Sequence, residues 1–111
     1  MKGMIMQIAT TPGSDRYVIT VSGEVDLATS PDLDTAIIAA IESGAASVVI
    51  DLTDVSFMDS SGLGAIVRGL KRCREADKDL DLVITNERVL KVFGITGLDQ
   101  VIPIHDSIED I

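Results

Sequence analysis

The sequence is poor in cysteine and in aromatic residues: its 111 residues include one cysteine, one tyrosine, two phenylalanines and no tryptophan. The single cysteine, Cys73, cannot form a disulfide within the chain, which is typical of proteins in a reducing compartment. Few aromatic side chains leave no stacking surface for single-stranded nucleic acid. No apolar run reaches the roughly eighteen residues of a membrane span, and residues 1–15 lack the apolar core of a signal peptide. We therefore expect a cytoplasmic protein.

Positive charge is also scarce, with nine Lys and Arg against 18 Asp and Glu and a net charge of −9. An acidic surface repels phosphate groups, so we expect neither nucleic acid nor an anionic membrane as a partner. Five of the nine bases are concentrated in one segment: Arg68, Lys71, Arg72, Arg74 and Lys78. This pattern favours a solvated helix face near the negative end of the helix dipole. The alternative is a docking surface for an acidic partner.

The hydrophobic pattern predicts one α/β domain over residues 1–111. Strands are predicted where β-branched or apolar residues alternate or run together: residues 4–9, 16–23, 46–52, 81–85 and 101–105. Helices are predicted to begin at these capping residues: Ser30, Ser60 or Ser61, and Asn86, with a short last helix after Asp106. The order β-β-α-β-α-β-α-β-α implies a small, mostly parallel sheet. An antiparallel hairpin begins it, and helices pack on it.

The polar residues with functional potential lie in loops that follow the predicted strands, where open α/β sheets place their sites. Three loops qualify: residues 23–26, 53–62 and 85–87. In the second, Ser60 and Ser61 stand where a helix begins, so a phosphate on either hydroxyl would face unpaired backbone N–H groups and the positive dipole end. Gly62 and Gly64 would leave the backbone accessible to a partner. The alternative is a serine cap with glycines packed against the sheet.

The residues present argue against two kinds of enzyme site. With Ser60 as nucleophile, Met58 occupies the first glycine position of the hydrolase elbow G-x-S-x-G, and the single histidine, His105, lies at the tail of a predicted edge strand. A phosphate-binding G-x-G-x-x-G beginning at Gly62 fails because its third glycine is replaced by Val67. We therefore assign no catalytic residue and expect that the protein is not an enzyme.

Four aspartates could approach one edge of the sheet: Asp26, Asp51, Asp54 and Asp59. A receiver-type acidic site would need an acidic pair after the first strand and a lysine after the fifth, and the sequence has neither. We expect no metal site here. Asp26 and Asp59 are instead expected to accept backbone or hydroxyl hydrogen bonds that shape the loop of Ser60 and Ser61.

Three segments, in order along the chain, resemble the STAS domain family: GEVD, VVIDLTDVSFMDSSGLGAIV and VLKVFGITGLDQVIPIHDS. The likeness is to bacterial anti-sigma factor antagonists of the sporulation and general-stress type. It extends over nearly the whole chain, and its most specific part is FMDSSGLG. The fold that the resemblance implies is a small sheet with helices packed on it, which agrees with the predicted order of elements.

The resemblance also implies a partner-switching function. In such proteins the first serine of the D-S-S-G motif, here Ser60 with Ser61 as second choice, is phosphorylated by an anti-sigma factor that is itself a serine kinase. The unphosphorylated antagonist binds this partner and releases sigma factor, and the phosphorylated form does not bind. A metal-dependent serine phosphatase restores binding. ATP and magnesium belong to the kinase, so we expect no cofactor in this chain.

We expect the partner to bind around the serine and on the helix that follows it. The predicted contact residues are Asp26, Asp59, Ser61, Gly62, Leu63, Gly64 and Arg68. Phosphate would act at this interface by charge repulsion and desolvation rather than by refolding the domain. The free protein is expected to be a monomer. The alternative function is a STAS scaffold or regulatory subunit, in a stressosome, a transporter or a lipid-transport complex, that binds a partner without being switched.

Overall fold

The computed structural model describes residues 5–111, and in this range one five-stranded sheet carries three helices. The strands are β1 (Gln7–Thr11), β2 (Arg16–Val25), β3 (Ser47–Met58), β4 (Asp79–Val83) and β5 (Ile104–His105). The helices are α1 (Ser30–Glu42), α2 (Ser60–Glu75) and α3 (Glu87–Thr96), with 3₁₀ turns at Leu98–Gln100 and Ile108–Asp110. The strand order is β1-β2-β3-β4-β5, antiparallel between β1 and β2 and parallel elsewhere. The predicted fold class is confirmed.

The third strand is longer than the sequence pattern predicts. It was expected to end at Leu52, but it continues to Met58, which pairs with Val25 at the end of β2. Within this extension Val55 and Met58 are buried, so the added strand still contributes to the core. The predicted loop at residues 53–62 is therefore wrong, and Asp59 alone separates β3 from α2. The loop predicted at 23–26 also shortens, because β2 runs to Val25.

The remaining boundaries differ by a few residues. Strand β1 extends to Thr11, and Met4 at its predicted start lies outside the described residues. Strand β4 begins and ends two residues earlier than predicted, and β5 is reduced to two residues. The short helix predicted after Asp106 is a 3₁₀ turn.

Two of the three predicted helix caps are wrong. Helix α1 has Thr29 at its N-cap, without a side-chain cap bond, and Ser30 is its first, buried residue. Helix α2 is capped by Asp59 rather than by a serine. The cap predicted for α3 is confirmed, because Asn86 accepts hydrogen bonds from the backbone N–H groups of Arg88 and Val89.

Helices α1 and α2 lie side by side on one face of the sheet, and α3 packs beside the far half of β3, which β4 does not reach. One hydrophobic core joins these elements, and its fully buried side chains include Ile19, Val21, Leu33, Ile37, Ile50, Ile66, Leu82 and Phe93. Burial of this apolar area is the main term that stabilises the domain.

Small residues bring α2 close to its neighbours. A Cβ atom on Gly62 would lie 2.7 Å from Cγ of Met58 and 2.8 Å from Cγ1 of Val25, and one on Gly69 would lie 3.1 Å from Cγ2 of Ile37. Hydrophobic spacing along α2 predicts one inner face made of Leu63, Ile66, Val67, Leu70 and Cys73. The buried residues of the helix are instead Gly62, Ala65, Ile66, Gly69 and Cys73, and Val67 is 45% exposed. The glycines that hydrophobic periodicity ignores decide which face of α2 meets the sheet.

We expect Gly62→Ala to lower the free energy of unfolding by about 1–2 kcal/mol, because the added methyl group overpacks the contact with Val25 and Met58 by more than the gain in helix propensity. The matched control is Gly64→Ala, whose Cβ would approach only the flexible end of Arg68, at 3.2 Å. That variant should be unchanged or more stable by up to about 1 kcal/mol. Urea denaturation measures both, and equal effects would contradict the packing role of Gly62.

Burial raises the pKa of the Cys73 thiol, and the nearby Lys78 ammonium opposes the rise only in part. A raised folded-state pKa means that the thiol contributes its full stability below the unfolded pKa of about 8.5 and loses it as pH rises toward the folded value. We therefore expect the free energy of unfolding to fall more steeply above pH 8.5 in the wild type than in Cys73→Ala. Urea denaturation at several pH values under reducing conditions measures this, and parallel pH profiles would refute it.

Candidate functional site

The ends of β2 and β3 meet at the start of α2. Val25 pairs with Met58, and the backbone N–H of Asp59 donates to the carbonyl of Val25 at 3.1 Å. The next residue on each strand is an aspartate, Asp26 after β2 and Asp59 after β3. The structure thus brings two of the predicted site residues to the same edge of the sheet.

The Asp59 carboxylate fixes the first turn of α2. Its Oδ1 accepts hydrogen bonds from the backbone N–H of Ser61 at 2.8 Å and of Gly62 at 3.2 Å, while its carbonyl accepts from the N–H of Leu63 at 3.1 Å. The N–H groups of Ser61 and Gly62 are among those that a helix leaves without partners in its first turn, whereas the Leu63 bond is the first regular bond of the helix. The predicted row of unpaired N–H groups facing Ser60 is therefore wrong, because the Asp59 carboxylate already occupies two of them.

Ser60 is the first residue of α2, and its side chain is exposed. Within residues 5–111 no hydrogen bond to its hydroxyl is found. The neighbouring Ser61 is only half-exposed. Because Asp59 caps the helix, the Ser60 hydroxyl is not needed for capping and is available to a partner protein.

The second aspartate shapes a different turn. Oδ1 of Asp26 accepts from the backbone N–H groups of Ala28 at 3.0 Å and Thr29 at 3.1 Å, and also from the Thr29 hydroxyl at 3.1 Å. These bonds close the turn between β2 and α1. Both aspartates accept backbone or hydroxyl hydrogen bonds, as predicted, but only Asp59 shapes the loop of Ser60 and Ser61, so that part of the prediction is wrong for Asp26.

The two glycines behind the serines have different environments. Gly62 is buried against Val25 and Met58. For this glycine the prediction of close packing is confirmed, and the prediction of a backbone accessible to a partner is wrong. Gly64 is half-exposed, and the nearest group to its missing side chain is the guanidinium of Arg68. Of this pair, only Gly64 leaves backbone exposed near Ser60.

Arg68 joins α2 to α1 through a two-point ion pair with Asp34. Its Nε donates to Oδ1 at 3.1 Å and its Nη2 to Oδ2 at 2.8 Å, and this hydrogen bonding raises the pKa of Arg68 further above its usual value. Asp34 is half-buried and the Arg68 side chain is 48% exposed. The pair lies at the surface, where water and salt screen the charges and make such a bridge a weak contribution to stability.

Three other cations of the basic segment differ in their surroundings. Lys78 donates to the carbonyl of Ala45, and Arg74 donates to the carbonyl of Val101 at 3.4 Å. Arg72 is half-buried, and its Nη1 is buried without a partner among the described residues. The predicted solvated face therefore holds for Arg68, Lys71 and Arg74, which are exposed, and not for Arg72 or Lys78, and the docking alternative stays a prediction.

Two exposed apolar residues near Ser60 were missed in the sequence. Phe57 is 49% exposed at the end of β3, and Leu27 is 77% exposed in the turn beside it. Phe57 lines an open groove of about 690 Å³ that runs to Arg88 and Val92 of α3. Simple alternation would place Phe57 on the same face as the buried Val55. A register shift between Gly23 and Glu24 of β2 breaks that alternation, so no local signal in the sequence marks Phe57 as exposed.

His105 is remote from Ser60. Its Nε2 lies 2.8 Å from Oδ2 of Asp81, and the strand register places it level with Asp51, seven residues before Met58 on β3. At about 3.3 Å per residue this is a separation of about 23 Å. Within residues 5–111 no group of three His, Cys, Asp or Glu side chains is arranged to hold a metal ion, and no helix of this range has the length and hydropathy to cross a membrane.

Comparison with known proteins agrees with this architecture. An anti-sigma-B factor antagonist of Staphylococcus epidermidis is 35% identical over 106 residues, covering 96% of this chain and 98% of the relative. The crystal structure of an anti-sigma factor antagonist from Mycobacterium paratuberculosis superposes with a TM-score of 0.87 at 26% identity, covering 96% of this chain and 90% of that one. The Bacillus cell fate determinant SpoIIAA, solved in its phosphorylated form, shares the fold with a TM-score of 0.72 at 22% identity, covering 96% and 95%. Residues 6–111 match the STAS domain, and the chain belongs to this family.

Proposed function

We propose that this protein is an anti-sigma factor antagonist whose activity is switched by phosphorylation of Ser60. In its unphosphorylated form it binds an anti-sigma factor that is a serine kinase, and sigma factor is released. The phosphorylated form does not bind, and a metal-dependent serine phosphatase restores binding. The names of the curated relatives and the intact D-S-S-G-L-G motif support this function.

The observation that carries the proposal is the exposed Ser60 hydroxyl at the first residue of α2, freed from capping by Asp59. A kinase needs a hydroxyl that it can surround on several sides, and Ser60 meets this requirement better than the half-exposed Ser61. Ser60 is therefore the phosphoacceptor in the proposal, and Ser61 is its second choice.

The phosphoryl transfer uses groups of both proteins. Oγ of Ser60 attacks the γ-phosphorus of ATP held by the kinase, the new O–P bond forms, and the bond from the γ-phosphorus to the bridging oxygen of ADP breaks. The hydroxyl proton passes to a base of the kinase. ATP and magnesium belong to the partner, so this chain supplies only the nucleophile and its position.

Phosphorylation acts at the interface in this proposal. The hydroxyl of Ser60 makes no hydrogen bond within residues 5–111 that a phosphate would have to break, so the fold has no reason to rearrange. The phosphate adds a charge of about −1.5 to −2 beside the Asp59 carboxylate and close to Asp26. A partner that covers this edge must then desolvate or repel that charge, which costs a few kcal/mol or a hundredfold and more in affinity.

The proposed contact surface surrounds Ser60. It comprises Leu27, Phe57, Asp26, Asp59, Ser61, Leu63, Gly64 and Arg68. Leu27 and Phe57 are added because exposed apolar groups beside the serine favour burial by a protein partner. Gly62 contributes only by holding α2 close to the sheet, because it is buried.

Incubation with ATP, magnesium and the cognate anti-sigma kinase is expected to add one phosphate to the wild type and none to Ser60→Ala. Intact mass spectrometry measures the addition, and Ser61→Ala is the matched control that should still accept a phosphate. Phosphate retained on Ser60→Ala would move the site to Ser61 or elsewhere. An unmodified wild type that nevertheless binds an active kinase would instead support a scaffold that is not switched.

Charge alone at position 60 should weaken the complex. We expect Ser60→Glu to raise the Kd for the anti-sigma factor at least tenfold, while Ser60→Gln, which has the same size without the charge, stays within about threefold of the wild type. Titration calorimetry measures both. Equal losses in the two variants would show that size rather than charge controls binding.

A further inference from the structure

Arg68 has one edge outside its ion pair with Asp34. The pair uses Nε and Nη2, so Nη1 keeps its two N–H donors for another group. Nη1 lies close to Gly64, because a Cβ atom built on Gly64 would be 3.2 Å from it. The guanidinium therefore lies over the backbone at Gly64, back along α2 toward Ser60.

Ser60, Gly64 and Arg68 follow one another at intervals of four residues along α2. Residues four apart on a helix lie on one face, with Cβ atoms about 6 Å apart, and long side chains lean toward the N-terminus of the helix. The donor edge of Arg68 thus lies about one helical turn from the Ser60 hydroxyl. The position between them on this face of α2 is Gly64, which has no side chain to separate them.

A phosphate on Ser60 would have few other partners on this domain. The backbone N–H groups of Ser61, Gly62 and Leu63 are already bonded to Asp59, and the Asp59 carboxylate is itself negative. The next cations of α2 begin at Lys71, eleven residues beyond Ser60 and about 16 Å along the helix axis. Another cation that could compete for the phosphate is Arg88 of α3. It lines the groove beside Phe57 and is the one cation among the residues that line that groove.

We propose that Arg68 receives the phosphate on Ser60 through its free Nη1 edge while Nε and Nη2 remain on Asp34. The inference rests on the proposed phosphorylation of Ser60 and assigns the residue that holds the modified state. Asp34 is the positioning residue, because it orients the guanidinium before the phosphate arrives. Gly64 keeps the path between the two groups open.

The contact with Arg68 fixes where the phosphate lies on the surface of the domain. The phosphate is drawn along α2 toward α1 and away from the apolar groups Leu27 and Phe57. Arg68, which is available to an anti-sigma factor in the unphosphorylated protein, becomes occupied within the domain. Phosphorylation would therefore add a negative charge to the interface and at the same time remove a positive one.

The test uses the full chain with phosphoserine introduced at position 60 during translation, so that it does not depend on a kinase. A pH titration followed by ³¹P NMR gives the second pKa of the phosphate, near 6 in an isolated phosphoserine. We expect this pKa to be lower by about half a unit to one unit in the wild type than in Arg68→Gln, because the guanidinium favours the dianion. Arg68→Lys should retain part of the difference.

Arg88→Gln is the matched control, since it removes one arginine near the same edge, and it should titrate like the wild type. Equal pKa values in the wild type and Arg68→Gln would overturn the inference, as would a change that appears only in Arg88→Gln. Neither result bears on whether a kinase modifies Ser60. Conversely, a wild type that no cognate kinase phosphorylates would refute the proposed function and leave this titration interpretable.

Discussion

The structure around the site depends on one residue, Asp59, which is all that separates β3 from α2. Its backbone N–H continues the pairing with β2, and its carboxylate and carbonyl bind the N–H groups of the first helical turn. A longer loop would let α2 begin at a variable distance from the sheet. With one residue, the helix must start directly above the end of β3, and that position requires Gly62 to fit against Val25 and Met58.

A serine at the start of a helix can cap the helix or offer its hydroxyl for modification, and this short connection assigns the two roles to different residues. A serine that caps the helix uses its own oxygen to bind backbone N–H groups, and modifying that oxygen would cost the cap. Here an aspartate takes the cap, and the serine follows it as an exposed first residue. The domain can therefore tolerate chemistry at Ser60 without losing the hydrogen bonds that start α2.

Several cations of this acidic protein are used within the domain. Arg68 holds α1 and α2 together through Asp34, Lys78 binds the carbonyl of Ala45, and Arg74 reaches the carbonyl of Val101. Such contacts fix where positive charge lies at the surface, which a count of bases along the chain does not reveal. The free edge of Arg68 over Gly64 is the part of this charge that lies near Ser60.

The sequence by itself determined the order of elements, the mixed sheet and the serine motif. Hydrophobic periodicity, β-branched runs and the Asn86 cap are local signals, and each can be recognised from a few neighbouring residues. Through the family resemblance the sequence also made Ser60 the expected phosphoacceptor. Only the tertiary structure decided where β3 ends, which residue caps α2 and which of the two glycines is buried. Those outcomes depend on pairing with β2 and on close packing between elements distant in the chain. The ion pair between Asp34 and Arg68 also depends on tertiary packing, because the two residues are 34 positions apart in the chain.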